Sequence, residues 1–147
     1  MHRLVIAVFL FISSLASANA EGWYLTETGR PVVMSDDGNW YVFLERTSDG
    51  NANIYLTSRN FFKCSGSGVA QGMYVNGVKL RWYQNCDRTI GMYWYAYTKE
   101  GIKYIFGEFM RKDYVTIQNN DLVMRFSALG FNDKSRDFID EIIDPGL

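Results

Sequence analysis

Apolar and polar residues alternate with a period of two along several short stretches of the chain, a pattern typical of half-buried β-strands. Trp40, Val42 and Leu44 share one face of such a stretch. Ile54 and Leu56 share one face of the next, and a turn-forming Ser-Asp-Gly-Asn segment separates the two. The pattern therefore predicts an antiparallel strand pair whose apolar faces are buried in a core.

The Asn76-Gly77 pair gives the clearest turn signal, because both central residues of a type I′ hairpin need a positive φ. It predicts a tight hairpin in which Val75 faces Val78. The same register, continued away from the turn, pairs three further residues on each strand: Met73 with Leu80, Gln71 with Trp82, and Val69 with Gln84.

Two more hairpins are predicted after this one. Residues 89–97 and 102–110 are expected to pair across a loop that contains Gly101. Residues 114–118 and 121–128 are expected to pair across the Asn-Asn dipeptide between them, since asparagine tolerates the left-handed conformation.

The last segment changes to helical spacing. Phe138, Ile139 and Ile142 recur at intervals of one helical turn, which predicts an amphipathic helix over residues 133–143. The fold class is therefore mainly β: an antiparallel meander curled into a small barrel or sandwich, with one C-terminal amphipathic helix, in a single domain of residues 21–147. A small outer-membrane barrel is the alternative, although it would need longer strands with an outward apolar band.

Residues 1–20 have the pattern of a secretory signal peptide. Arg3 precedes an unbroken apolar run over residues 4–12, and a small-x-small cleavage site ends at Ala20. The run is shorter than the roughly 20 apolar residues of a membrane-spanning helix, so no transmembrane anchor is predicted. We therefore predict a protein of the periplasm or a secreted one; a buried N-terminal strand is the alternative.

The chain has two cysteines, Cys64 and Cys86, and an exported protein enters an oxidising compartment in which they would pair. The hairpin register places Ser67, not Cys64, opposite Cys86. A bridge needs Cα atoms within roughly 7 Å, so we predict a bend through the two glycines of residues 65–68. A reactive free thiol and a zinc site are the alternatives.

Charge and composition exclude several classes of function. With 15 basic and 16 acidic residues, the net charge of −1 excludes a strongly basic nucleic-acid binder. The one histidine, His2, lies in the predicted signal peptide, so the mature chain lacks the commonest general base. We predict no metal, no cofactor and no catalysis. The remaining enzyme hypothesis is a carboxylate-based hydrolase of cell-wall glycan, with candidate carboxylates Asp36, Asp37, Glu45, Glu100 and Glu108.

Tyrosine is the main candidate for binding. Tyr93, Tyr95 and Tyr97 alternate along one predicted strand and so share a face, whereas Trp94 points to the core. The predicted site adds the neighbours of this row: Tyr83, Tyr104, Lys79 and Arg81. Tyrosine combines a rigid ring with a hydroxyl, so we predict a non-catalytic binding, inhibitor or accessory module for a protein or envelope glycan. The alternatives are a structural component of an exported assembly and an ordinary half-buried sheet face.

Overall fold

The computed structural model describes residues 22–60 and 62–143, so the predicted signal peptide lies outside the described residues. Within them the chain forms eleven strands and two helices. The strands are β1 (Tyr24–Leu25), β2 (Pro31–Met34), β3 (Trp40–Arg46), β4 (Ala52–Ser58), β5 (Gly68–Val69), β6 (Met73–Val75), β7 (Val78–Leu80), β8 (Trp82–Asp87), β9 (Gly91–Ala96), β10 (Tyr114–Asn119) and β11 (Leu122–Ser127). The helices are α1 (Lys99–Arg111) and α2 (Phe131–Ile143).

The strands form two antiparallel sheets, which confirms that the fold is mainly β. The seven-stranded sheet has the order β1-β2-β3-β4-β9-β8-β5, and the four-stranded sheet has the order β11-β10-β6-β7. Neither sheet closes on itself within the described part of the chain, so the predicted barrel is not confirmed. One core cluster joins residues of both sheets and both helices, among them Leu44, Leu56, Ile117, Phe126, Ile105 and Phe131.

The predicted strand pair is confirmed as β3 and β4. Val42 pairs with Leu56, and Leu44 pairs with Ile54. All four side chains are at most 2% exposed and belong to the core. The faces are therefore those that the alternation predicted.

The Asn76-Gly77 turn is confirmed, with φ of 46° and 83° at the two residues. Val75 pairs with Val78 and Met73 with Leu80, as predicted.

Farther from the turn the predicted register is wrong. Val69 pairs with Tyr83 instead of Gln84, and this pairing belongs to the seven-stranded sheet. The hairpin over residues 68–87 therefore has its base in one sheet and its tip in the other. The two arms of the hairpin approach each other closely at Gly72, where a Cβ atom would lie 3.2 Å from the Leu80 carbonyl oxygen.

The predicted strand over residues 102–110 is wrong, because this segment is helix α1. Thr98 caps the helix, and its Oγ1 accepts a hydrogen bond from the Gly101 N–H at 3.0 Å. Ile105 and Phe109 then follow at helical spacing and are buried in the core. Capping and core packing together outweigh the strand propensity of the aromatic and β-branched residues.

The C-terminal helix is confirmed as α2, which begins two residues earlier than predicted. Its first residue, Phe131, is fully buried and packs against the rings of Trp23 and Phe109 at 4.9 and 5.5 Å. The next residue, Asn132, donates a hydrogen bond from Nδ2 to the Met110 carbonyl at 3.1 Å. These contacts fix α2 to the end of α1.

The last predicted hairpin is confirmed as β10 and β11, with its turn at Asn120 (φ 51°). Ile117 pairs with Met124 and Val115 with Phe126, and all four are buried.

The Cys64–Cys86 disulfide is confirmed, with Cα atoms 5.6 Å apart. Residues 62–67 between β4 and β5 are irregular, as the predicted bend requires. The bridge ties this segment to β8. Among the described helices, neither has the length and apolarity needed to cross a membrane.

Candidate binding face

The pairing register of the seven-stranded sheet aligns one residue from each strand in a single row. The row reads Tyr24, Val32, Phe43, Tyr55, Tyr95, Tyr83 and Val69. Its members alternate with core residues such as Val42 and Leu56, so they lie on the opposite, outer face of the sheet.

Six aromatic side chains on this outer face form a continuous cluster, which we call the tyrosine face: Phe43, Tyr55, Tyr83, Tyr93, Tyr95 and Tyr97. Tyr95 lies at its centre, with ring centroids 5.2 Å from Tyr55, 5.6 Å from Tyr83 and 6.0 Å from Tyr93. Phe43 stacks on Tyr55 at 5.4 Å, and Tyr97 lies 6.2 Å from Tyr83. The rings thus support one another from β3 across to β8.

Charged groups border one end of the tyrosine face. The guanidinium of Arg30 lies 5.0 Å above the Phe43 ring and forms an ion pair with Glu45. Both charged side chains are about two-fifths exposed, at 42% and 37%. The face therefore has an aromatic centre and a charged margin, which is the usual anatomy of a protein interface.

The structure brings together four of the predicted site residues, Tyr83, Tyr93, Tyr95 and Tyr97. Tyr104 lies elsewhere, because its segment is helix α1 and not the next strand; its hydroxyl donates to the Val75 carbonyl at 3.2 Å.

Lys79 and Arg81 lie beside the tyrosine face and not within it. They line a groove of about 460 Å³ together with Tyr97 and Val69, at the edge of the seven-stranded sheet. Tyr97 is therefore shared between the groove and the tyrosine face.

Sequence analysis missed two members of the face, Phe43 and Tyr55. Both occupy the polar side of strands whose alternation was recognised. The available signal was an aromatic residue at a position where the alternation calls for a polar one. Only the pairing of β4 with β9 places Tyr55 beside Tyr95 and so links these residues to the tyrosine row.

Burial raises the pKa of three tyrosine hydroxyls on this face, those of Tyr55, Tyr93 and Tyr95. The pKa of Tyr55 rises to about 12, first because of burial and then because of the neighbouring Tyr95 and Tyr93. Burial likewise raises the pKa of Tyr93 and Tyr95. These hydroxyls stay protonated at neutral pH and can donate hydrogen bonds to a partner.

Tyr55 and Tyr104 are expected to ionise last in the folded protein, near pH 12, since burial raises the pKa of each to about 12. Unfolded tyrosine ionises near pH 10. The folded pKa is the higher one, so stability is complete below about pH 10 and is lost as the pH rises from there towards 12. A pH titration of tyrosinate absorbance, folded against urea-unfolded, measures this. A Tyr55→Phe variant should lose one late step, and a single common transition of all tyrosines near pH 10 in the folded protein would contradict the expectation.

The candidate carboxylates lie in three places: Asp36 and Asp37 in the β2–β3 turn, Glu45 on β3, and Glu100 and Glu108 on α1. Asp36 pairs with Arg125 at 2.6 Å, and Asp37 accepts a hydrogen bond from the Ser35 hydroxyl within the β2–β3 turn. Glu45 pairs with Arg30, and Glu108 is buried on α1. Residues 22–60 and 62–143 contain no cluster of three or more His, Cys, Asp or Glu side chains placed to hold a metal ion.

Comparison of the chain with protein-family models, curated proteins and solved structures found no match. Within residues 22–60 and 62–143, the tyrosine face is the largest aromatic cluster on the outer side of a sheet.

Proposed function

We propose that this protein is an exported, non-catalytic binding module that engages a protein partner through the tyrosine face. The observation that supports the proposal is the continuous contact of six aromatic rings on the outer side of the seven-stranded sheet. Tyrosine is enriched at interface hot spots, because it offers a large rigid surface and a hydroxyl. A sheet face with this composition, spread over several strands, suits a folded partner better than a small ligand.

We also propose that the protein acts in the periplasm or outside the cell, as an inhibitor or accessory factor. The signal peptide pattern over residues 1–20 and the Cys64–Cys86 disulfide support this location, because disulfides persist in oxidising compartments. The two sheets, which share a core, are best regarded as an open sandwich with the tyrosine face on its outside.

Replacing Tyr95 with alanine is expected to weaken partner binding by roughly 1–3 kcal/mol, or about 5-fold to 150-fold. Tyr95 holds three neighbouring rings in place at the centre of the face, so its loss removes its own contact and loosens theirs. The measurement is a titration of the mature protein against the partner isolated from an envelope extract, with thermal unfolding recorded in parallel.

Tyr74→Ala is the matched control, since Tyr74 is a 45%-exposed tyrosine on the four-stranded sheet. It should leave the affinity unchanged. Equal losses in both variants would contradict the proposal, as would a Tyr95→Ala protein that unfolds without any separable loss of binding.

A further inference from the structure

A second candidate site lies in the cleft between the two sheets. The cleft has a volume of about 270 Å³ and is lined from both sides by Trp40, Leu56, Ala70, Gln71, Met73, Gln84, Trp94, Asn119, Leu122 and Met124. None of these side chains is charged. By contrast, the groove beside the tyrosine face includes Lys79 and Arg81, and a groove beside α2 includes Arg30, Glu45 and Asp133.

Three aromatic rings form one wall of the cleft and its margin. The ring centroids of Trp40 and Trp94 are 6.1 Å apart, and Phe62 lies 5.9 Å and 6.2 Å from them. Phe62 is held by its carbonyl, which accepts a hydrogen bond from the Met92 N–H at 3.2 Å. The disulfide at Cys64 fixes the same segment, so the wall is preformed.

Neutral amides surround these rings. The Gln84 side chain accepts from the Trp94 indole N–H at 3.4 Å and donates to the Gly66 carbonyl at 3.2 Å. Gln71 donates to the Asn120 side chain at 3.5 Å. These bonds orient the amides and leave the mouth of the cleft polar but uncharged.

Asn119 supplies the observation that points to a ligand. Its Oδ1 atom is buried and has no hydrogen-bond partner. Native proteins seldom keep a buried polar atom unpartnered, because it has lost its hydration and gained nothing in return. The atom has almost no accessible surface, so the Asn119 side chain would have to turn towards the cleft when a ligand binds, and a ligand hydroxyl could then donate to Oδ1.

We propose that this cleft binds one neutral pyranose unit of an oligosaccharide. A pyranose ring combines an apolar C–H face, which matches Trp40 and Trp94, with hydroxyls that match Asn119 and the neighbouring amides. The volume is slightly below the roughly 300–1,000 Å³ of pockets for drug-sized ligands, which suits a single sugar ring. Because no lining group is charged, an acidic sugar would lose its hydration without gaining an ion pair.

The lining also separates binding from hydrolysis. Glycoside cleavage needs two carboxylates on either side of the bond, and none of the lining residues is Asp or Glu. The cleft would therefore retain a sugar without cleaving it. This inference does not depend on the tyrosine face, which lies on the opposite side of the seven-stranded sheet.

Titration of the mature protein with neutral tetrasaccharides, namely chitotetraose, cellotetraose and maltotetraose, tests the inference. Tryptophan fluorescence is the readout, because Trp40 and Trp94 line the cleft. At least one of the three should give a saturable change, and tetragalacturonate, which is charged, should bind about tenfold more weakly or not at all. The proposal would be overturned if none of the three neutral tetrasaccharides gave a saturable change at millimolar concentration.

Asn119→Leu separates a ligand-binding role from a structural one. Leucine has nearly the same shape and removes the unpartnered acceptor, so the variant should melt at the same or a higher temperature while binding the sugar about tenfold more weakly. Trp40→Leu is a second, independent test, because it removes an aromatic ring from the wall of the cleft. This variant too should bind the sugar about tenfold more weakly. Tyr95→Ala should bind the sugar unchanged. Unchanged sugar binding by both Asn119→Leu and Trp40→Leu would overturn the proposal whatever the fate of the tyrosine face.

Discussion

Replacing Trp82 with alanine is expected to lower the free energy of unfolding by about 3–5 kcal/mol, the range for large aromatic residues in a core. Trp82 is 1% exposed, and its indole N–H donates to the Met73 carbonyl at 3.2 Å. Trp82 lies on β8 and Met73 on β6, so this hydrogen bond joins the two sheets. The substitution leaves a cavity and a buried carbonyl without its hydrogen-bond partner. Urea unfolding, followed by circular dichroism, measures the combined loss in the free energy of unfolding.

Trp82→Phe separates the two contributions. It keeps most of the ring and removes the N–H, so the expected loss is smaller, at about 1–3 kcal/mol. A loss below about 1 kcal/mol for Trp82→Ala would show that the sheets are joined by other contacts, because such a value is ordinary for a surface position.

Removing the disulfide by the double substitution Cys64→Ser and Cys86→Ser is expected to lower the free energy of unfolding by about 3 kcal/mol. The bridge spans a sequence separation of 22, and it restricts the unfolded chain by closing that loop. Its loss also frees the segment that holds Phe62 against Trp40 and Trp94. Chemical denaturation of the oxidised protein and of the double variant gives the difference.

Reducing agent supplies the control for this experiment. It should destabilise the wild-type protein to the level of the double variant and leave the double variant unchanged. A wild-type protein whose unfolding midpoint does not respond to full reduction of the bridge would contradict the expectation.

Local pattern was sufficient for three pairs of strands that are neighbours in sequence: β3 with β4, β6 with β7, and β10 with β11. The alternation in β3 and β4 placed Val42 and Leu56 in the core, and the Asn76-Gly77 dipeptide gave the register next to its turn. Helix α1 was missed because the run from Tyr104 to Phe106 favours a strand by propensity. The Thr98 cap and helical spacing towards Phe109 were also in the sequence and should have outweighed it.

The candidate sites depend on longer-range pairing and could be predicted only in part. Tyr93, Tyr95 and Tyr97 share a face through alternation alone, and that much was predictable. Phe43 and Tyr55 join them only because β9 pairs with β4, a partner far away in sequence. The cleft between the sheets has no local signature, since Trp94 and Asn119 meet there only after both sheets have formed.

The bent hairpin over residues 68–87 also constrains the order of folding. Its tip becomes part of a sheet only when β10 pairs with β6, and the Ser35–Phe126 bridge then connects the β2 end to β11. Contacts of such high sequence separation place the protein among slow, topology-limited folders, with times of roughly milliseconds to seconds. A nascent chain therefore cannot reach its native state before Ser127 has left the ribosome. That delay leaves the nascent polypeptide unfolded, a state compatible with the export that we propose.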